Sequence, residues 1–279
     1  MHRIIFRLGP VTIYSYGVMV ALAFFISTYM AWQNAARKGI NPDKIIDASI
    51  CILLSGLLGA RIFYVLIYGD YYFSHPGEIL KIWQGGLIFY GGFIFASLTA
   101  VIFLLKNKIS VWKFADLTAP SVSLGLAIGR IGCFLNGCCF GRISEKFGLI
   151  FPCKENSPVC LEQISRGLIE PGSQFSLPVI PTQAYSSLFC LFIFVGLIIL
   201  RDDKRFKKYA VKKDGMLFWF FIFLYGLFRF FIEKFRFYEA NFYFFSLTLS
   251  QLISLGLVLL SSALLFILDR SSRVSLRLK

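Results

Sequence analysis

Charge is scarce in this sequence: of 279 residues only 16% are Asp, Glu, Lys or Arg, against 57% hydrophobic. A soluble domain of this length breaks its apolar residues up at helix or strand period, and that pattern is missing; the apolar residues run in blocks. Short segments of alternating polarity are missing too, which argues against a transmembrane β-barrel. No repeat of roughly 20–50 residues is visible, so inverted-repeat transporter logic finds no support. No small-residue cleavage site follows the first apolar block, and the block is too long for a secretory signal. It is expected to remain in the mature protein.

What is present is a set of seven blocks, each of the ~20 residues that a helix needs to cross a bilayer. They lie near Val11–Trp32, Ile46–Tyr68, Gly86–Leu105, Leu117–Phe140, Pro181–Leu200, Met216–Phe237 and Phe245–Leu268. Phe contributes 32 residues, which suits lipid-facing and interfacial surface. The predicted fold is an all-α polytopic membrane protein with seven transmembrane helices, residues 1–279 making a single transmembrane domain.

A net charge of +14 invites a nucleic-acid reading, but its distribution speaks against one. Arg37, Lys38 and Lys44 follow span one, and Lys106, Lys108 and Lys113 follow span three. Arg201, Lys204, Arg205, Lys207, Lys208, Lys212 and Lys213 follow span five, and Arg270, Arg273, Arg277 and Lys279 follow span seven. Together these are more than half of the 29 Lys and Arg, all on one side. The positive-inside rule therefore puts the N-terminus outside and the C-terminus in the cytosol. The connections are short except for residues 141–180, rich in Gly, Pro, Ser and charge, which are expected to form a small extracytoplasmic head between spans four and five.

Of seven cysteines, Cys153 and Cys160 share that outside segment, where an oxidising compartment permits a disulfide; the pairing stays open. Cys133, Cys138 and Cys139 cluster near the end of span four. Their spacing matches no familiar zinc pattern, so they read as small, packable residues, and neither metal nor cofactor is expected.

Five basic residues fall within the spans: Arg61, Arg130, Arg229, Lys234 and Arg236. An ionised side chain near the bilayer centre costs at least ~3 kcal/mol, so it persists where it meets a partner or a wet cavity. Lys234 and Arg236, near the outer end of span six, can snorkel to the interface. Arg61 and Arg229 are deeper, and Arg61 can be structural. Arg130 stands about ten residues from either end of its span, where snorkelling explains least. Tyr225, Arg229, Glu233 and Arg236 fall on one helical face. That stripe reads either as an interhelical salt-bridge network or as an anion site, since a guanidinium matches phosphate with a planar fork.

In span four, Ser121, Gly125, Gly129, Cys133, Gly137 and Gly141 recur every fourth residue, a small-residue ridge that admits a close neighbour or a lipid tail. Arg130 adjoins it and Asn136 lies further along. Span three opens with two glycine pairs, Gly85-Gly86 and Gly91-Gly92, which predict an irregular or closely packed helix start. Tyr90 lies between them, either offering its hydroxyl to a ligand or sitting in the interfacial aromatic belt. Tyr16-Gly17 in span one carries the same choice. Pro181-Thr182-Gln183 reads as a helix start, with Gln183 a polar contact turned inward.

These residues resemble a known family. Gly129-Arg130-Ile131-Gly132-Cys133-Phe134-Leu135-Asn136-Gly137, closed by Gly141, resembles the signature of the bacterial prolipoprotein diacylglyceryl transferases. Leu8-Gly9-Pro10 with Tyr16-Gly17, Gly59 to Tyr64, Trp83-Gln84-Gly85-Gly86 with Gly91-Gly92, Pro181 to Tyr185, and Tyr225-Gly226 with Arg229, Glu233 and Arg236 look like its other segments, in order.

The resemblance implies a multi-pass enzyme of the bacterial inner membrane. Its partners would be phosphatidylglycerol and the signal peptide of a prolipoprotein with its lipobox cysteine, and it would release glycerol phosphate. It implies catalytic roles for Arg130, Arg229, Tyr90 and Tyr225. Arg130, Arg229, Tyr16, Asn136, Gly141, Gln183 and Glu233 would bind substrate. Tyr90 stands where the family often has histidine, and His2 and His75 are poorly placed to replace it. Cys133 and Cys138 stand where an asparagine and an acidic residue are usual. A transporter or channel for an anionic solute or lipid is the alternative.

Overall fold

The computed structural model describes residues 3–8, 11–82, 85–202, 213–237, 243–244 and 247–277. Gly9-Pro10, Trp83-Gln84, the basic residues between 204 and 212, and Lys279 lie outside the described residues. The chain is mostly helical, and among the described residues seven helices are long and apolar enough to cross a membrane. They are α1 (Ser15–Ala35), α2 (Pro42–Ile67), α4 (Phe89–Lys106), α5 (Val111–Asn136), α7 (Thr182–Asp202), α8 (Met216–Ile232) and α9 (Leu249–Arg277). Two short helices, α3 (Gly69–Ser74) and α6 (Pro158–Ser165), lie in connections. Two small antiparallel hairpins are added to the expected all-helical fold: β1 (Ile4–Leu8) with β2 (Val11–Tyr14), and β3 (Tyr243–Phe244) with β4 (Leu247–Thr248).

The chain divides into two compact units, Thr28–Leu117 and the combination of Met1–Ser27 with Thr118–Lys279. In the first, α2 and α4 meet along glycine. A Cβ on Gly59 would lie 2.7 Å from the Gly91 carbonyl oxygen, and one on Gly92 would lie 2.9 Å from that of Gly56. Such contacts let two backbones touch without side chains between them, the small-residue mode of packing in lipid. The expected close packing at Gly91-Gly92 is found. The expected irregularity is found as well: Gly85 and Gly86 take φ of +92° and +73°, so helix α4 begins at Phe89 rather than Gly86.

Arg61 is the anchor of this unit. It is buried, and it donates from Nε to the carbonyl of Ile79 (2.8 Å), from Nη1 to Gly85 and Gly86 (2.9 and 3.0 Å) and from Nη2 to Glu78 (2.7 Å). Its guanidinium also lies over the rings of Tyr64 and Tyr72. The structural role expected for it is what the contacts show.

In the second unit several boundaries differ from expectation. Residues 11–14, read as the start of span one, are a strand, because Ile4–Leu8 pairs with them. Span four was expected to reach Phe140, but α5 stops at Asn136. Gly137 there is left-handed (φ +72°), its N–H bonds the Phe134 carbonyl, and the Cys138 N–H bonds the Cys133 carbonyl. This pair of bonds is the Schellman stop. Arg130 is thus under two turns (~3.6 residues each) from the helix end, not mid-span. Nor is the small-residue ridge continuous. A Cβ on Gly125 would meet Ser27 at 2.6 Å, Gly129 faces open space, and Gly137 and Gly141 lie beyond the helix.

Between α5 and α7 the chain packs a small core of its own. It consists of Phe140, Phe151, Val159, Cys160 and Val179, and Cys153 and Cys160 are joined by a disulfide. Gln163 is fully buried, its Oε1 accepting from Leu177 N at 2.8 Å.

Candidate active site

The site is assembled from the end of α5, the start of α7 and the end of α8. Arg130 projects from α5 to within hydrogen-bonding reach of the Tyr225 hydroxyl on α8 and lies close to the thiols of Cys133 and Cys139. One turn on from Tyr225 is Arg229, whose Nη2 is 3.0 Å from Glu233 Oε2. Arg236 Nη1 approaches the same oxygen at 3.8 Å. The Glu233 side chain is wholly buried, whereas those of Arg229 and Arg236 stay 19% and 17% exposed. The helical stripe read from spacing therefore exists, with one change: regular helix ends at Ile232, and Glu233–Phe235 form a tighter 3-10 turn. Four side chains, Arg130, Arg229, Glu233 and Arg236, carry a net positive charge here, the state in which an anion is welcome.

The start of α7 fixes the chain that follows α5. Gln183 Nε2 donates to the Cys138 carbonyl and Thr182 Oγ1 to the Cys139 carbonyl, each at 2.7 Å. Gln183 is 1% exposed, and its Oε1 has no partner among the described residues. A buried amide oxygen without a donor costs about 1–3 kcal/mol, so Gln183 Oε1 has an acceptor site to fill.

Gly141 donates its N–H to the Ile180 carbonyl at 2.8 Å and pairs with Arg236 in an isolated bridge. A Cβ there would lie 2.5 Å from the Phe235 carbonyl oxygen, so glycine is required for the approach of two backbones. Any contact of Gly141 with substrate must run through its main chain.

Tyr16, at the start of α1, lies within electrostatic reach of Arg130 and of the three cysteines. It arrives there because α1 crosses α5 at Gly132, where a Cβ would meet Met19 at 2.9 Å and the Tyr16 ring at 3.4 Å. Asn136 Oδ1 accepts from Arg3 Nε–H at 3.2 Å. Tyr90 belongs to the Thr28–Leu117 unit, at the N-terminal end of α4, half-exposed and edge-on to Phe89.

Two contributors escaped the sequence reading. Arg3 donates to Asn136 and to the carbonyls of Glu155 and Asn156 in the head, tying the N-terminal hairpin to the end of α5. Its only signal in the sequence was a charge on a short tail. Thr182, legible only as part of a helix start, clamps the cysteine loop.

Comparison with known proteins settles the family. The profile described as prolipoprotein diacylglyceryl transferase matches residues 3–267. The chain belongs to that family. A Bacillus licheniformis phosphatidylglycerol–prolipoprotein diacylglyceryl transferase is 33% identical over 265 residues, covering 95% of this chain and 92% of its own. The enzyme of the same name from Listeria innocua is 34% identical over 262 residues, covering 93% and 87%. That from Nostoc sp. is 35% identical over 235 residues, covering 82% and 76%. The stretch Gly129 to Gly137, which resembles the family's signature, carries Arg130 and ends in the Schellman turn after α5.

Proposed function

We propose that this chain transfers the diacylglyceryl group of phosphatidylglycerol to the lipobox cysteine thiol of prolipoproteins and releases glycerol phosphate. The thiolate sulfur attacks the glyceryl carbon, the carbon–oxygen bond to phosphate breaks, and the phosphate oxygen leaves with the electron pair. Negative charge grows on that phosphate. Fixed guanidinium groups aimed at it stabilise the transition state more than the ground state. The observation that carries this reading is the placement of Arg130 against Tyr225, one helical turn from the Arg229–Glu233 pair, in a chain of this family.

Arg130 and Arg229 are assigned the phosphate. Tyr225 orients Arg130, and Glu233 orients Arg229. Gln183 Oε1 accepts a hydroxyl of the glycerol head group, while Tyr16, Asn136 and the Gly141 main chain line the approach. Tyr90 is assigned to proton handling at the thiol. A phenol of pKa near ~10 is a poor base at neutral pH unless a cation stabilises its anion, so the role proposed for Tyr90, as a donor or as a phenolate, rests on the family resemblance. The N-terminus and the head are placed on the outer face of the bacterial inner membrane and the basic loops in the cytosol, by the positive-inside rule.

The test is reconstitution in phosphatidylglycerol vesicles with a lipobox peptide. Diacylglyceryl thioether should form with the native chain and vanish with Arg130→Ala. Flux of anion or lipid across the vesicle with no thioether formed would replace the enzyme by a transporter.

A further inference from the structure

Cys133, Cys138 and Cys139 do not form a spacing motif, yet the fold gathers them. Their Sγ atoms all lie within 4.8 Å of one another, and all three are free thiols. The cause is local. Cys133 sits in the last turn of α5, the left-handed Gly137 reverses the chain, and Cys139 takes φ +60°, rare for a side chain other than glycine. The reversal is held by the Cys138 N–H on the Cys133 carbonyl at 3.1 Å and by Gln183 and Thr182 on the two following carbonyls. Cys138 Sγ itself donates to the Cys133 carbonyl at 3.7 Å. Cys133 is buried and the other two are half-buried.

Sulfur is the only donor type in the cluster, which selects soft cations over magnesium or calcium. Metal–sulfur bonds of ~2.3 Å around one ion put the sulfurs roughly 3.8–4.0 Å apart, so a closure of under ~1 Å converts the cluster into a ligand set. Three thiolates on a divalent ion leave one negative charge. Arg130 and Arg236 lie within electrostatic reach of Cys139, and Arg130 also of Cys133, so positive charge is at hand to offset it.

We propose that Cys133, Cys138 and Cys139 form a binding site for one thiophilic d10 cation of the zinc class. The protein supplies three ligands, and the fourth position is left to water or an incoming thiol. Binding releases the three thiol protons to solvent, so affinity rises with pH. The proposal stands independently of the transferase reading.

The experiment uses the full chain in detergent, with the Cys153–Cys160 disulfide kept and the free thiols protected from air, stripped of metal and titrated with Cd²⁺ as an optical probe. One Cd²⁺ per chain should bind, with the ultraviolet charge-transfer band of three thiolates. Each of Cys133→Ser, Cys138→Ser and Cys139→Ser should weaken binding ~10-fold or more and remove about a third of the band. Cys51→Ser and Cys190→Ser should leave both unchanged. Unchanged circular dichroism and melting of the serine variants separate lost ligation from lost fold. A native chain that binds no Cd²⁺, or a band that survives all three cluster substitutions, would each overturn the site.

Discussion

Arg229 and Glu233 meet at 3.0 Å, one turn apart at the end of α8, with the carboxylate wholly buried and the guanidinium still partly exposed. The pair is asymmetric: the Glu233 carboxylate is enclosed, while the Arg229 guanidinium stays partly exposed. Glu233→Gln keeps the shape and removes the charge that compensates Arg229 and Arg236. Breaking a buried pair usually costs ~3–5 kcal/mol, and the remaining exposure of both arginines should bring this to about 2–4 kcal/mol. Thermal unfolding in detergent measures it, and a melting temperature equal to that of the native chain would contradict the pairing.

Arg130→Lys tests the shape of the charge. A lysine keeps the charge but not the planar fork, so thioether formation should fall by about 100-fold or more with the fold intact. Near-native turnover would sink the assignment of Arg130 to the phosphate.

The two tyrosines should separate. Tyr225→Phe removes the hydroxyl that orients Arg130 and should cost about 10-fold in kcat/KM, most of it recovered in no other single position. Tyr90→Phe should lower kcat by ~100-fold if the phenol handles the thiol proton. Unchanged kinetics for Tyr90→Phe would return that side chain to the interface as a packing residue.

Gly141 and Gly129 offer a paired test of packing. Gly141→Ala forces a methyl group against the Phe235 carbonyl and should lower stability by at least ~2 kcal/mol. Gly129→Ala enters open space within a helix and should be neutral or stabilising by up to ~1 kcal/mol. Equal melting temperatures for the two variants would mean that the close approach at Gly141 is not tight in solution.

The spans were legible because apolar length is a local property, and the stripe from Tyr225 to Glu233 was legible because helical spacing is one too. Helix ends were read less well. Val11–Tyr14 is as apolar as the helix after it, and only its pairing with Ile4–Leu8 makes it a strand. The stop at Asn136 depends on Gly137 turning left-handed, which the repeating small residues concealed. The three cysteines were visible as neighbours in sequence, but not as a ligand set, because Cys133, Cys138 and Cys139 converge only after that turn. Arg3 reaches Asn136 across 133 residues of sequence, a separation over which no periodicity speaks.

Arg61 has a consequence for the order in which the chain is made. Every carbonyl that it binds belongs to residues synthesised after it, the last of them 25 positions later. At roughly 5–20 residues per second, Arg61 leaves the ribosome about one to five seconds before its last acceptor does. During that interval the helix carries a bare charge worth ~3 kcal/mol or more against entry into lipid. The second helix is thus completed by the nascent chain behind it, and its commitment to the bilayer waits on the loop that leads to the third.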